Sequence, residues 1–259
     1  GYGQTDKPEP IESYNILQLT GDIVGMVNAL GEKSAAIVGH DWGAPVAWTS
    51  ALLRPDIFRA IALLSVPYFP RGAVRPTEMM KALAGDKNFY QFYFQEPGKV
   101  EKELEADPRK SVTMMLYSAS GDPPPKERWR FLFDKNEKFI ETGVIPKNLP
   151  AWLTEADIDF FAGEFKRVGF RGGINWYRNF DRNWELTPFL DGALLRQPSL
   201  FAAGEYDAVL AMYPPAYEMC STFMPNLKIK KLIPGAGHWI QQERPAEINK
   251  LLVDFLKGL

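Results

Sequence analysis

The sequence predicts an α/β protein: a mainly parallel sheet flanked by helices, with a block of helices inserted into it. Three observations carry that expectation. Short, nearly continuous apolar runs at 35–39, 60–65, 199–203 and 228–233 fit strands covered on both faces. Stretches with a 3.6-residue apolar repeat lie between them. From about Pro67 to Pro188 strand signals vanish, and aromatic residues, charges and helical periodicities take over.

Each element has a local reason. Ile16, Leu19, Ile23, Met26, Val27 and Leu30 recur at helical spacing, and Gly31 stops that helix. Residues 44–53 form a largely apolar helix directly after the first strand, ending at Arg54-Pro55. In the inserted block, Thr154 serves as N-cap for a helix over 155–167 that Gly169 ends. Gly121-Asp122-Pro123-Pro124-Pro125 and 146–150 punctuate loops. A last helix spans 245–256, with Pro245 at its start and Ile248, Leu251, Leu252 and Phe255 on one face. The expected organisation is a core over 1–66, a helical cap over 67–188 and the remaining core over 189–259. Gly1-Tyr2-Gly3 reads as loop and only four strands come after it, which would leave a buried strand as an open edge. A portion before Gly1 is therefore expected.

Composition narrows the function classes. Thirty Lys and Arg against 32 Asp and Glu give a net charge of −2, and no basic cluster stands out, so nucleic acid is not an expected partner. Cys220 is the only cysteine and His40 and His238 the only histidines. That leaves no internal disulfide, no Cys-based zinc site and no His-rich centre, and neither metal nor cofactor is expected. No apolar run approaches the ~18 residues of a membrane span. With no signal peptide visible, a cytoplasmic location is expected.

The chemistry is concentrated at Gly39-His40-Asp41-Trp42-Gly43, which ends the apolar run Ala35-Ala36-Ile37-Val38. It has the frame of the G-x-S-x-G elbow, a sharp strand-to-helix turn presenting one side chain above a sheet, with a carboxylate in the serine's place. A carboxylate oxygen suits displacement at saturated carbon and leaves an ester on the enzyme. The glycines are expected because a tight turn tolerates no Cβ at its crowded positions. His40 directly precedes Asp41 and points to the opposite side, as a hydrogen-bonded core histidine. His238, in Pro234-Gly235-Ala236-Gly237-His238-Trp239, comes after a strand and is the expected base. Asp207 closes Phe201-Ala202-Ala203-Gly204-Glu205-Tyr206-Asp207 and is expected to orient it, with Glu205 the weaker candidate. The chain order nucleophile, acid, histidine is that of the α/β-hydrolase fold. The backbone N–H of Trp42, at the start of the next helix, is the expected oxyanion donor.

With these motifs the chain resembles the soluble epoxide hydrolases of the α/β-hydrolase fold family. The resemblance runs from Gly1-Tyr2-Gly3 through the elbow, Phe94-Gln95-Glu96-Pro97-Gly98 and Gly172-Gly173-Ile174-Asn175-Trp176-Tyr177-Arg178 to Gly237-His238-Trp239. It implies cofactor-free, detoxifying hydrolysis of apolar epoxides to vicinal diols, with water as co-substrate and a homodimer left open. It also implies that two cap tyrosines, Tyr90 in Phe89-Tyr90-Gln91 and Tyr177, hydrogen-bond the epoxide oxygen; phenols ordinarily stay protonated to about pH 10 and so can donate. Trp176, Gln91, Phe89 and Trp239 would line the substrate pocket. The family's His-Gly-x-Pro loop, which supplies part of the oxyanion hole, has no counterpart in these residues. Two alternatives remain open. A haloalkane dehalogenase shares the fold and the aspartate, with Trp42 and Trp176 as N–H donors to a departing halide. A noncatalytic ligand-binding protein could use the same scaffold.

Overall fold

Four parallel strands form the main sheet, in the order β1 (Ala35–His40), β2 (Phe58–Leu64), β3 (Ser199–Gly204), β4 (Leu227–Ile233). The computed structural model describes all residues 1–259. Its contacts divide the chain into two units: Asn15–Gly72 with Glu185–Leu259, which holds this sheet, and Gly1–Tyr14 with Ala73–Trp184, which is helical.

The sheet unit follows from its apolar pattern. Ile61, Leu63, Phe201 and Ala203 pack into one cluster with Val27, Ala44, Ala47 and Cys220, while Ala60, Ala62, Leu64, Leu200 and Ala202 pack into another with Ile248 and Phe255. The split is the alternation of side chains across a strand, so β2 and β3 bury both faces. The outer strands depart from the expected two-sided burial: Val38 of β1 is 45% exposed and Leu232 of β4 is 37% exposed. Each is an edge strand with one hydrogen-bonded neighbour, and the lysines of β4 (Lys228, Lys230, Lys231) suit an edge that must not recruit another strand. Along the sheet His40 pairs with Leu64, Leu64 with Ala202, and Gly204 with Ile233, so the C-terminal ends of β1, β3 and β4 come out on one edge.

Helix ends obey local chemistry. Asn15 caps Ile16–Ala29 through its side-chain oxygen, which accepts from Leu17 and Gln18 N–H at 3.0 and 3.2 Å. In the helical unit Thr154 caps Glu155–Val168, and Asp157 returns a bond to the Thr154 N–H at 2.9 Å, forming a reciprocal capping pair. The same unit holds an antiparallel ladder absent from the sequence pattern, Asn88–Phe89 against Leu132–Phe133. Two residues per strand are too few to show a period. No helix is long and apolar enough to cross a membrane.

The elbow needs only one of its two glycines. A Cβ on Gly39 would land on the Gly43 carbonyl oxygen and lie 2.8 Å from Ala44 N, whereas a Cβ on Gly43 meets nothing within 4 Å. Gly39→Ala is therefore expected to cost about 1–3 kcal/mol or more through overpacking. Gly43→Ala, inside a helix, should be neutral to stabilising by up to about 1 kcal/mol. Chemical denaturation of both variants checks the asymmetry; equal effects would contradict it.

Candidate active site

Asp41 sits where β1 gives way to the helix Gly43–Leu53, with φ of 52°, left-handed backbone that few residues other than glycine adopt. Its main-chain carbonyl accepts from Ala44 N–H at 2.9 Å, closing the turn, and its side chain stays 38% exposed. The elbow thus holds a carboxylate open to approach.

Two other strand ends deliver its partners. His238 Nε2 lies 3.2 Å from Asp41 Oδ2, and His238 Nδ1 lies 3.1 and 3.2 Å from the two oxygens of Asp207. The Asp207 side chain is wholly buried and also accepts from Val209 N–H at 2.9 Å, so its rotamer is fixed independently of the histidine. Glu205, the weaker candidate acid, is engaged elsewhere: its carboxylate accepts from Gly235 N–H at 3.0 Å. A Cβ on Gly204 would run into the Ala236 and Gly237 carbonyls, which is how closely the acid-bearing turn and the histidine loop pack.

The charges interlock. Burial disfavours a charged His238, but the carboxylates of Asp207 and Asp41 outweigh it and raise its pKa to about 10. Burial likewise works against Asp41, yet hydrogen bonding and charge from His238, with the His40 ring and the Trp42 N–H, hold it down at about 2. The backbone N–H of Trp42 thus already addresses the Asp41 carboxylate. At neutral pH the resting cluster is an imidazolium between two carboxylates. His40 is driven the other way, to about 4, by burial and by the charge of His238. It stays neutral and donates from Nε2 to the His238 carbonyl at 2.8 Å. Ser65, Glu243 and this role of His40 have no signature in the sequence; all three contact the backbone around His238. The ring of Trp239 packs against both histidines, at 4.8 Å from His238 and 5.6 Å from His40.

The helical unit brings its candidate tyrosines together. The rings of Tyr90 and Tyr177 stand 6.0 Å apart, edge to face at 71°, and the Gln91 side-chain amide donates to the Tyr90 hydroxyl at 2.9 Å. Gln95 ties their backbones, donating to the carbonyls of Gln91 at 2.8 Å and Tyr177 at 3.0 Å. Arg178 reinforces the same junction: its guanidinium meets both Glu101 oxygens, at 2.5 and 2.9 Å, and the carbonyls of Phe94 and Glu96. Phe89 is fully buried with its ring against Tyr90, and Trp176 packs edge-on to Tyr2 at 6.1 Å.

Residues 1–245 match the α/β hydrolase fold family. Among characterised proteins, "Epoxide hydrolase A" of Mycobacterium tuberculosis is 44% identical over the whole of this chain and 80% of its own length. "Epoxide hydrolase 2" of Siraitia grosvenorii is 40% identical over 99% of this chain and 80% of its own length. The crystal structure of epoxide hydrolase A from Mycobacterium thermoresistibile superposes with a TM-score of 0.92 at 46% identity, covering 100% of this chain and 80% of that one. An epoxide hydrolase from an endophytic Streptomyces gives 0.96 at 44% identity, over 99% and 78%. The chain belongs to the α/β-hydrolase fold family, as a homologue of its epoxide hydrolases.

The Arg178–Glu101 pair, with side chains 3% and 8% exposed, gives the junction its own test. Glu101→Gln leaves a buried guanidinium without its counter-charge, at an expected cost of about 3–5 kcal/mol. Urea denaturation measures it, and a change within about 0.5 kcal/mol, the range of an ordinary surface substitution, would show that the pair holds nothing together.

Proposed function

We propose that this protein hydrolyses apolar epoxides to vicinal diols through an ester on Asp41. The observation that carries the reading is His238, hydrogen-bonded through Nδ1 to the buried Asp207 and ion-paired through Nε2 with the half-buried Asp41 at 3.2 Å. An imidazole placed this way serves first as counter-ion to a nucleophile and then as base beside it. The relatives named epoxide hydrolases favour this over halide displacement.

In the first step an Asp41 oxygen attacks an epoxide carbon and the ring C–O bond breaks. The departing alkoxide is a poor leaving group at neutral pH and takes a proton from a phenol, the role assigned to Tyr90 and Tyr177. In the second step His238 removes a proton from water, and the hydroxide adds to the ester carbonyl. The Trp42 N–H steadies the resulting oxyanion, a donation worth ~10²–10³ in rate in such sites. Collapse expels the diol alkoxide, which takes the proton from His238, and the regenerated Asp41 carboxylic acid then protonates His238. The phenolate is reprotonated, by way of solvent, by the proton that His238 gave up once the ester had formed.

The charge cluster explains the timing. A histidine with a pKa near 10 is no base at neutral pH. Alkylation removes the negative charge of Asp41, one of the two carboxylates that raise it, so the His238 pKa falls once the ester exists. The base is switched on by the intermediate it must destroy. Wall-lining roles for Trp176, Gln91 and Trp239 belong to the same reading; Phe89, expected beside them, is fully buried against Tyr90 and has no surface to offer a substrate.

Four outcomes are expected. Asp41→Asn abolishes diol formation, and His238→Gln accumulates a substrate adduct on Asp41 seen by intact mass; turnover by the first, or no adduct in the second while substrate binds, contradicts the scheme. In single-turnover kinetics Tyr177→Phe slows adduct formation more than adduct hydrolysis, and the reverse order would remove the tyrosine from this role. By NMR titration, His238 of Asp41→Asn has a lower apparent pKa than in the wild type, since the lost carboxylate favoured the charged ring; an unchanged value refutes the switch.

A further inference from the structure

The loop that delivers His238 is restrained more than its contacts with Asp41 and Asp207 require. Glu243, 5% exposed at the end of the short helix Ile240–Glu243, turns its carboxylate back onto the loop. Oε1 accepts from Gly237 N–H at 3.1 Å and Trp239 N–H at 3.0 Å, and Oε2 accepts from Gly237 N–H at 2.9 Å. The His238 carbonyl is gripped from the other side. It accepts from Ser65 Oγ at 2.8 Å and from His40 Nε2 at 2.8 Å. The peptide joining His238 to Trp239 is therefore held at both its oxygen and its nitrogen, and the N–H two residues earlier in the chain by the same carboxylate. With the main chain fixed, only the side-chain torsions of His238 remain, and Asp207 fixes those.

Ser65 adds an independent sign. It is completely buried at φ of 68°, a left-handed conformation that costs a residue other than glycine about 1–3 kcal/mol. Glycine would adopt this backbone without strain; serine brings the hydroxyl that reaches His238. His40 fits as well, because a neutral imidazole has one N–H to give and directs it to the same oxygen.

We infer that Glu243, Ser65 and His40 are positioning residues, a backbone clamp that sets His238 for hydrolysis of the Asp41 ester far more than for its formation. The inference rests on the function proposed above. Ester formation needs only the carboxylate, with His238 as counter-ion, and a charge tolerates small displacements. Hydrolysis needs Nε2 within hydrogen-bond reach of a water that must itself reach the ester carbonyl. A displacement of about 1 Å at such a step costs about 10²-fold.

The test is rapid-quench kinetics of the wild-type protein, Glu243→Ala, Glu243→Gln and Ser65→Gly with styrene oxide, following the Asp41 adduct by intact mass and the diol in parallel. In Glu243→Ala, adduct hydrolysis is expected to slow by about 10²-fold while adduct formation changes by less than about threefold. The adduct then accumulates and kcat and KM fall together. Glu243→Gln, which keeps an acceptor oxygen for the two N–H groups, restores most of the hydrolysis rate. Ser65→Gly relieves the strained φ while removing the hydroxyl, and shifts the balance in the same direction; it carries the test alone should Glu243→Ala not fold. Equal slowing of both steps, unchanged hydrolysis, or a glutamine variant no better than alanine overturns the clamp while leaving the proposed function intact. Diol formed with no Asp41 adduct, in His238→Gln as in the wild type, overturns the ester route of the proposed function and the clamp's role with it.

Discussion

Everything at the site hangs on one imidazole held between two carboxylates. His238 is 3.2 Å from Asp41 and 3.1 Å from Asp207, and the three residues are separated by 166 and 31 positions in the chain (207 − 41 and 238 − 207). The sheet makes the meeting possible. Its strands run parallel and in register, so the turns leaving β1, β3 and β4 emerge on the same edge. That edge is where open α/β sheets place their ligands. Charge then locks the arrangement: a buried imidazolium is tolerable because two carboxylates balance it, and it in turn holds Asp41 ionised.

Holding that triplet requires backbone that side-chain-bearing residues adopt nowhere else in the chain. Asp41 and Ser65 are the two residues other than glycine with positive φ, and they end neighbouring strands. One aims a carboxylate outward; the other aims a hydroxyl at the His238 carbonyl. Gly39 and Gly204 make the opposite contribution, since each is a place where a Cβ would strike main chain. Strain and close approach thus gather at the C-terminal edge of the sheet, and the rest of the core, an ordinary apolar packing of Ile61, Leu63, Phe201 and their neighbours, supports them.

What the sequence disclosed is what local pattern can encode. The apolar runs marked four strands within two residues of their observed ends, and Thr154, Gly31 and Pro245 marked helix boundaries because capping is a contact between residues a few positions apart. Asp41, Asp207 and His238 could be picked out since each comes after a strand and histidines are scarce. Ser65 and Glu243 could not: a serine after an apolar run and a glutamate in a helical turn are common, and their importance lies in contacts across 173 residues or onto main-chain N–H groups. The same holds for Arg178 and Glu101, 77 positions apart, whose pairing no periodicity announces.

The central claim, that Asp41 supplies the attacking oxygen, predicts where an oxygen atom ends up. In a single turnover with enzyme in excess in ¹⁸O-labelled water, attack by Asp41 gives a diol without label and leaves the isotope in the carboxylate at position 41, readable by peptide mass spectrometry. Label in the diol of that first turnover, with an unlabelled Asp41, would mean that water attacks the epoxide directly and would contradict the account.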